Sequence, residues 1–201
     1  SHVSRNQHVA FARSSAMLCV AVYRGRSLQG FWMRRKESPT SALRVLLTPG
    51  ANPGSVPVVL DLARALLRKG HHPVVYGIFG GVDADALRAA TVPVLDDLSA
   101  LNFAPDVIHG HDHLDTMIAA LHFAGTPVVV SCRDWDARPP VFPTVARWIA
   151  IDAVCAERLA TSAGVEAAHI RTVHDGVDIA RFAPRAALPA TPRRARVFGD
   201  H

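Results

Sequence analysis

From residue 44 onward, short apolar runs alternate with segments of helical period. Residues 44–48, RVLLT, form an apolar run of strand length that reads as a buried strand. Residues 49–54, PGANPG, cannot extend it, because prolines and glycines break a strand. Ser55 then suits a helix N-cap and Pro57 the first turn, where a missing N–H costs nothing. Val59, Leu62, Ala63, Leu66 and Leu67 fall at i, i+3, i+4, i+7 and i+8, a single apolar face. Arg68 and Lys69 complement the negative end of that helix, and Gly70 suits a left-handed cap.

The alternation repeats. Residues 73–79 (PVVYGIF) predict a second strand, and Asp83 caps a short helix running to Ala90. Residues 92–95 give a third strand, 106–109 (DVIH) a fourth, and 127–131 (PVVVS) a fifth. Between the last two lies a helix over 114–123, with Asp112 and Asp115 in a capping pattern and Gly125 as its stop. Residues 148–151 and 170–173 are the sixth and seventh strands, separated by a helix that Asp152 caps and that reaches Ala163. Such alternation predicts an α/β fold, a Rossmann-like doubly wound parallel sheet forming one domain over residues 44–184. Ligands bind such sheets beyond the carboxyl ends of the strands, which selects the loops after Thr48, His109, Ser131 and Val173.

Charge changes the picture in one respect. The chain has 201 residues and a net charge of +5, but residues 1–43 hold seven Lys/Arg against one acid. Residues 44–201 hold 15 basic and 16 acidic side chains, so the excess belongs to a basic N-terminal arm of unknown fold. A near-neutral domain argues against nucleic acid as a partner. Apart from Lys36 and Lys69 every cation is arginine, a bias for which a GC-rich genome is the bland cause. The apolar run near 16–23 is too short to span a bilayer, so no transmembrane segment is expected, though peripheral membrane contact stays open. Cys19, Cys132 and Cys155 are widely spaced and lack a C-x-x-C pair, which suggests reduced thiols in a cytoplasmic protein.

Four clusters carry candidate chemistry. In the loop 49–54, Gly50, Asn52 and Gly54 sit where a helix begins, and glycines there let a ligand approach the backbone; the bland reading is an ordinary tight connection. It is not G-x-G-x-x-G. His109, Gly110, His111, Asp112, His113 and Asp115 form the densest polar group, and alternate histidines at a strand end project to one face. His111 then lines a cleft, ligates a metal, or only packs; the absence of a completing acidic cluster disfavours metal. Arg133 can grip phosphate or sugar hydroxyls, with Asp134 to orient it, or it forms a structural ion pair with Asp134 or a neighbour. Asp175, Gly176 and Asp178 belong to a tight turn in which Asp tolerates left-handed geometry.

Residues 170–184, IRTVHDGVDIARFAP, resemble the segment that closes the first domain of family 4 retaining glycosyltransferases. That family usually has Asn where Asp175 stands. Residues 105–111 (PDVIHGH) and Arg133-Asp134 with Trp135 resemble the same family, in the same order, and the likeness covers roughly residues 44–184. It implies a GT-B fold, in which two doubly wound domains face each other across a cleft. This chain then corresponds to the N-terminal, acceptor-side half, with 185–201 as linker or the start of a C-terminal domain.

The resemblance further implies sugar transfer from a UDP- or GDP-linked nucleotide-sugar to a hydroxyl acceptor, with no separate cofactor and no metal. Gly50, Asn52, Gly54, His111, Asp112, Arg133 and Asp134 would be the substrate-binding residues. The family's E-x(7)-E pair and its diphosphate-binding cations belong to the second domain, supplied in cis or as a separate subunit, so this chain alone would be inactive. One departure concerns the acceptor: only 12 residues separate Trp135 from Trp148, where the family carries several helices. The competing reading is a non-catalytic binding or subunit-interaction module of the same fold. A Rossmann-like enzyme of another kind lacks any fingerprint here.

Overall fold

A computed structural model describes residues 42–50, 55–77, 82–133, 142–161 and 163–176. The expected arm over 1–43 and linker over 185–201 thus lie almost wholly outside the described residues. Seven strands form one sheet: β1 (Arg44–Thr48), β2 (His72–Tyr76), β3 (Val94–Leu95), β4 (Val107–Gly110), β5 (Val128–Cys132), β6 (Val145–Ala150) and β7 (Ile170–Thr172). Every pairing is parallel, and the spatial order is β3-β2-β1-β4-β5-β6-β7. The connections therefore run one way from β1 and the other way from β4, and the reversal falls between those two central strands.

Among the described residues four helices cover the two faces: α1 (Ser55–Arg68), α2 (Val82–Ala89), α3 (His113–His122) and α4 (Ala153–Thr161). Because side chains alternate along a strand, the odd and even positions feed different cores. Val45, Leu47, Val75, Val107, Val129 and Ile149 pack with Val59, Leu62, Ala63 and Leu66 of α1 and Leu87 of α2. Leu46, Val74, Tyr76, Ile108, Val128, Val130 and Trp148 pack on the other side with Ala119 and Ala120 of α3 and Cys155 and Leu159 of α4. This is the doubly wound, Rossmann-like arrangement that the alternation predicts. Burial on both faces explains why the strands read as continuous apolar runs.

The amino ends of β1 and β4 are tied by Arg44, whose backbone N–H donates to Asp106 Oδ2 at 2.8 Å while its guanidinium pairs with Asp106 Oδ1 at 3.3 Å. Register follows from the pairing of Val45 with Val107 and of Thr48 with Gly110. Both strands thus end level with each other, at the top of the switch point.

Several boundaries differ from expectation. Ser55 is the first helical residue of α1, and not its cap. Strand β2 stops at Tyr76, because its neighbour β3 has only two residues and its Leu95 pairs with Tyr76. Residues 78–79 lie outside the described residues. Asp83 falls inside α2. Strand β6 begins three residues early, at Val145, which pairs with Val128, and a register shift follows between Val128 and Val129. Two single-turn 3-10 helices, Leu98–Ala100 and Ala167–His169, were not expected from the pattern. Among the described residues no helix is long and apolar enough to cross a membrane.

Candidate functional site

The carboxyl ends of β1 and β4 form the switch-point wall, and four small or hydroxylated residues set its shape. Thr48 closes β1 and is fully buried; its Oγ1 lies 2.8 Å from Oγ1 of Thr116, on α3 and equally buried. Thr116 Oγ1 also donates to the carbonyl of Asp112. The backbone N–H of His111 donates to the Thr48 carbonyl at 2.9 Å, carrying the ladder one residue past β4. Gly110 is required here: a Cβ at that position would lie 2.1 Å from Thr116 Oγ1. Gly50 has φ +71°, and a Cβ there would meet Asp112 Cβ at 2.0 Å. The first helix-facing loop thus presses its backbone directly against the start of α3.

Asp112 is the N-cap of α3, as the sequence pattern suggests. Its Oδ1 accepts from the backbone N–H of Leu114 at 2.8 Å and of Asp115 at 3.2 Å. That carboxylate is therefore committed to the helix terminus, where it answers the exposed N–H groups and the positive end of the dipole. Burial, and then the charge of Asp112, raise the carboxyl of Asp115 above its ordinary value.

His109 and His111 project to one face, as alternation along an extended strand requires. Their rings stack at 4.6 Å with an interplanar angle of 23°. His109 is buried, and its Nε2 is hydrogen-bonded to Ser131 Oγ at 2.8 Å, linking β4 to β5. Burial lowers its imidazole to about 4. His111 is half-buried as a residue, yet both ring nitrogens are shut away from solvent and, among the described residues, have no hydrogen-bond partner. Its pKa is lowered well below the ordinary value by burial, by His109 and by the positive charge of Arg133. The ring is consequently neutral at physiological pH.

Arg133 follows β5 directly. Its Nε donates to Asp175 Oδ2 at 3.0 Å, and its Nη2 donates to the same oxygen. The ion-pair reading of Arg133 therefore finds its partner in Asp175, after β7. His174, beside it, is hydrogen-bonded through Nδ1 to the Ile151 carbonyl at 2.8 Å. The pair joins two motifs that the sequence presents separately.

Gly50, His111, Asp112, Arg133, Asp175 and Gly176 all lie at the carboxyl ends of central and outer strands. Asn52, Gly54, Asp134 and Asp178 lie outside the described residues, as does Trp135. Thr48, Thr116 and Ser131 were not singled out from the sequence. Thr48 and Ser131 gave a signal, each being a hydroxyl at the end of an apolar run. Among the described residues no group of three or more His, Cys, Asp or Glu is placed to hold a metal ion.

The chain matches no protein-family model and no curated protein sequence. Solved structures do match. A glycosyltransferase from Rickettsia africae superposes with a TM-score of 0.60 at 14% identity, over 74% of this chain and 47% of that one. Anabaena HepE in complex with UDP and glucose gives 0.55 at 17% identity, over 69% and 46%. The same protein with UDP-glucose gives 0.53 at 19%, over 69% and 45%. The likeness is one of fold. This chain spans about half the length of the glycosyltransferases it matches.

Proposed function

We propose that this chain is the acceptor-side, N-terminal half of a retaining glycosyltransferase similar to family 4, with GT-B architecture. The whole enzyme moves a sugar from a UDP- or GDP-linked donor to a hydroxyl acceptor, and the nucleotide-sugar enters as co-substrate without a further cofactor. The observation that carries the reading is His111: an unpartnered, neutral imidazole beside the Arg133–Asp175 pair, at the switch point where such sheets bind ligands. The fold shared with solved glycosyltransferases supports it, as do the motifs at 105–111, 133–134 and 170–184.

In the reaction the bond between the donor's anomeric carbon and its phosphate oxygen breaks, and the acceptor oxygen bonds to that carbon on the same face. The hydroxyl proton leaves with the departing diphosphate. Such transfer is chiefly positioning together with stabilisation of the departing charge. This half supplies the wall that positions; a second α/β domain, in cis or as a separate subunit, holds the nucleotide. We place the protein in the cytoplasm, with its dispersed cysteines reduced.

The test joins this chain to the second α/β domain that the reading requires, sought both in the same reading frame and in a co-purifying subunit. Turnover of UDP- or GDP-sugar by the joined halves, with none from residues 1–201 alone, supports the reading. Transfer by residues 1–201 alone overturns it. A stable partner complex that never turns over sugar favours the binding-module reading instead.

A further inference from the structure

Helix α3 departs from the rule that a surface helix turns a polar side outward. Thr116, Ala119 and Ala120 are buried against the sheet, as an inner face should be. Leu114, Ile118 and Leu121 recur at i, i+4 and i+7 on the opposite face, and they are 58%, 38% and 73% exposed. Among the described residues one other large hydrophobic side chain is exposed, Val154, on α4 and on the same side of the sheet. The exposed apolar surface is thus gathered into one stripe, as interaction surfaces are and scattered surface leucines are not.

The stripe has an acidic border. Helix α3 carries no Lys or Arg, and Asp112 and Asp115 stand at its start. Asp97 is close enough to His122, at the other end, for the two to interact through charge. Burial, and then the charges of Asp115 and Asp97, raise the phenol pKa of Tyr76 on the same face of the sheet.

A segment that matches this surface belongs to the same chain. Residues 16–23, AMLCVAVY, are eight apolar positions without a charge, and residues 1–41 hold seven Lys/Arg against one acid. Arg13 precedes the run, and Arg24 and Arg26 follow it. The chain enters the sheet at the amino end of β1, beside β4, on which α3 packs. Because α3 returns from the carboxyl end of β4 toward the amino end of β5, Leu121 is the end of the stripe nearer that entry. The 19 residues from 24 to 42 span about 60 Å when extended, and α3 is about 15 Å long, so the tether reaches.

Other occupants fit less well. A helix of 10 residues offers far less area than the about 1,200 Å² that a stable dimer buries. Residues 177–201 also carry arginines, but polar residues and prolines cut them into apolar runs of at most three residues, and they follow β7 at the sheet's edge.

We propose that residues 16–23 dock along the Leu114–Ile118–Leu121 stripe, with the flanking arginines against Asp97 and Asp115. The tether keeps the segment at an effective concentration of about millimolar, so a modest apolar contact suffices to hold it. The proposal is independent of the glycosyltransferase reading, because the stripe faces away from the sheet and from the wall formed by Thr48, Gly110 and Thr116.

Cys19 lies inside the segment and reports its position, because Cys132 and Cys155 are buried. The 201-residue chain is treated with iodoacetamide, natively and in urea, and the rate at Cys19 is read by peptide mass spectrometry. Native labelling should be slower by about tenfold or more, since the thiol must wait for local opening. The same protection should persist after about hundredfold dilution, as a tethered contact does not depend on concentration. In the double variant Ile118→Gln/Leu121→Gln, changed at exposed positions only, the native rate should rise to within about twofold of the rate in urea.

Native labelling of the wild type at the rate found in urea overturns the proposal, as does protection that the double variant keeps. Protection lost on dilution assigns the stripe to a second copy, and protection seen only with anionic phospholipid vesicles assigns the segment to a membrane; either result overturns it too. A second measurement is independent of the glutamines. In Ile118→Cys or Leu121→Cys, oxidised glutathione should link the introduced thiol to Cys19 within one chain, and is itself reduced to two glutathione thiols as the disulfide forms. Failure of that link in both variants overturns the proposal.

Discussion

Arg133 and Asp175 stand 42 residues apart in the chain, and a 3.0 Å hydrogen bond from Nε to Oδ2 joins them. The bond spans from the end of β5 across β6 to the residues after β7, so it holds the turn at 175–176 against the body of the sheet. Both side chains keep solvent contact, with 24% of Arg133 and 40% of Asp175 exposed. An exposed pair of this kind contributes about 0.2–1 kcal/mol. Asp175→Ala and Arg133→Gln should each lower stability by about that amount. A double-mutant cycle from urea midpoints should return a coupling energy of the same size, shrinking in high salt. A coupling near zero would mean that the turn is held by other contacts.

Gly50 and Gly110 should be the least tolerant positions of the wall. Gly110→Ala drives a methyl group into Thr116 Oγ1 and Cγ2, both buried in backbone-anchored geometry. Overpacking of that kind costs about 1–3 kcal/mol. Gly50→Ala adds the penalty of a left-handed backbone, about 1–2 kcal/mol, to a clash with Asp112. The measurement is thermal or urea unfolding of each variant. Hydrogen exchange at Leu114 and Asp115 should also rise in Gly50→Ala, because the displaced Asp112 releases their N–H groups.

Acid should weaken the fold through His109. Burial holds its imidazole at about 4, against about 6.5 for a histidine in the unfolded chain. Between those values the unfolded chain binds a proton that the folded chain refuses, so stability is full above about pH 6.5 and is lost as pH falls toward 4. By about pH 5 the loss from this one group is about 2 kcal/mol, and His111 adds to it in the same direction. Urea midpoints followed from neutral pH downward should fall accordingly. His109→Asn should flatten that dependence even if it lowers stability overall. An unchanged slope in the variant would assign the acid sensitivity to other groups.

The two described cysteines should be inert while the chain is folded. Cys132 and Cys155 are 5% and 1% exposed, and burial first, then the hydrogen bond with Asp152, pushes the Cys155 thiol up to about 11. At about pH 8 its thiolate fraction is on the order of one in a thousand, and the thiolate is the reactive species. Mass spectrometry after brief iodoacetamide treatment should find both unmodified in the native chain and modified after denaturation. Rapid native labelling at Cys155 would show that the first turn of α4 opens readily.

The sheet was legible because its parallel strands are buried on both faces and so register as uninterrupted apolar runs. RVLLT predicts β1 to the residue, and the five apolar positions from Val59 to Leu67 predict the face that α1 buries. Boundaries were read less well where pairing, not composition, decides them. The apolar string of β2 runs on past Tyr76, but its last ladder pair with β3 is Tyr76 with Leu95. Arg147 interrupts the apolar pattern of β6, yet it sits inside the strand opposite Val129, which hides the strand's true start.

The site divides along the same line. Local spacing was enough to place His109 and His111 on one face and to make Asp112 a cap. Long-range partners left no mark in local sequence. Nothing near Arg133 points to Asp175, and nothing near His109 points to Ser131, because the first meeting depends on the order of β5, β6 and β7 and the second on β4 lying beside β5.

Thr116 touches three separate pieces of the wall: the Thr48 hydroxyl, the Asp112 carbonyl and the space where Gly110 lacks a side chain. A larger residue at 110 meets the Thr116 side chain, and loss of either threonine hydroxyl strands the other, whereas the Asp112 carbonyl is backbone and survives substitution. Descendants of this sequence are therefore free to vary residues 48, 110 and 116 only as a block. A lineage that enlarges residue 110 must shrink residue 116 in step, and position 48 then loses its reason to carry an oxygen.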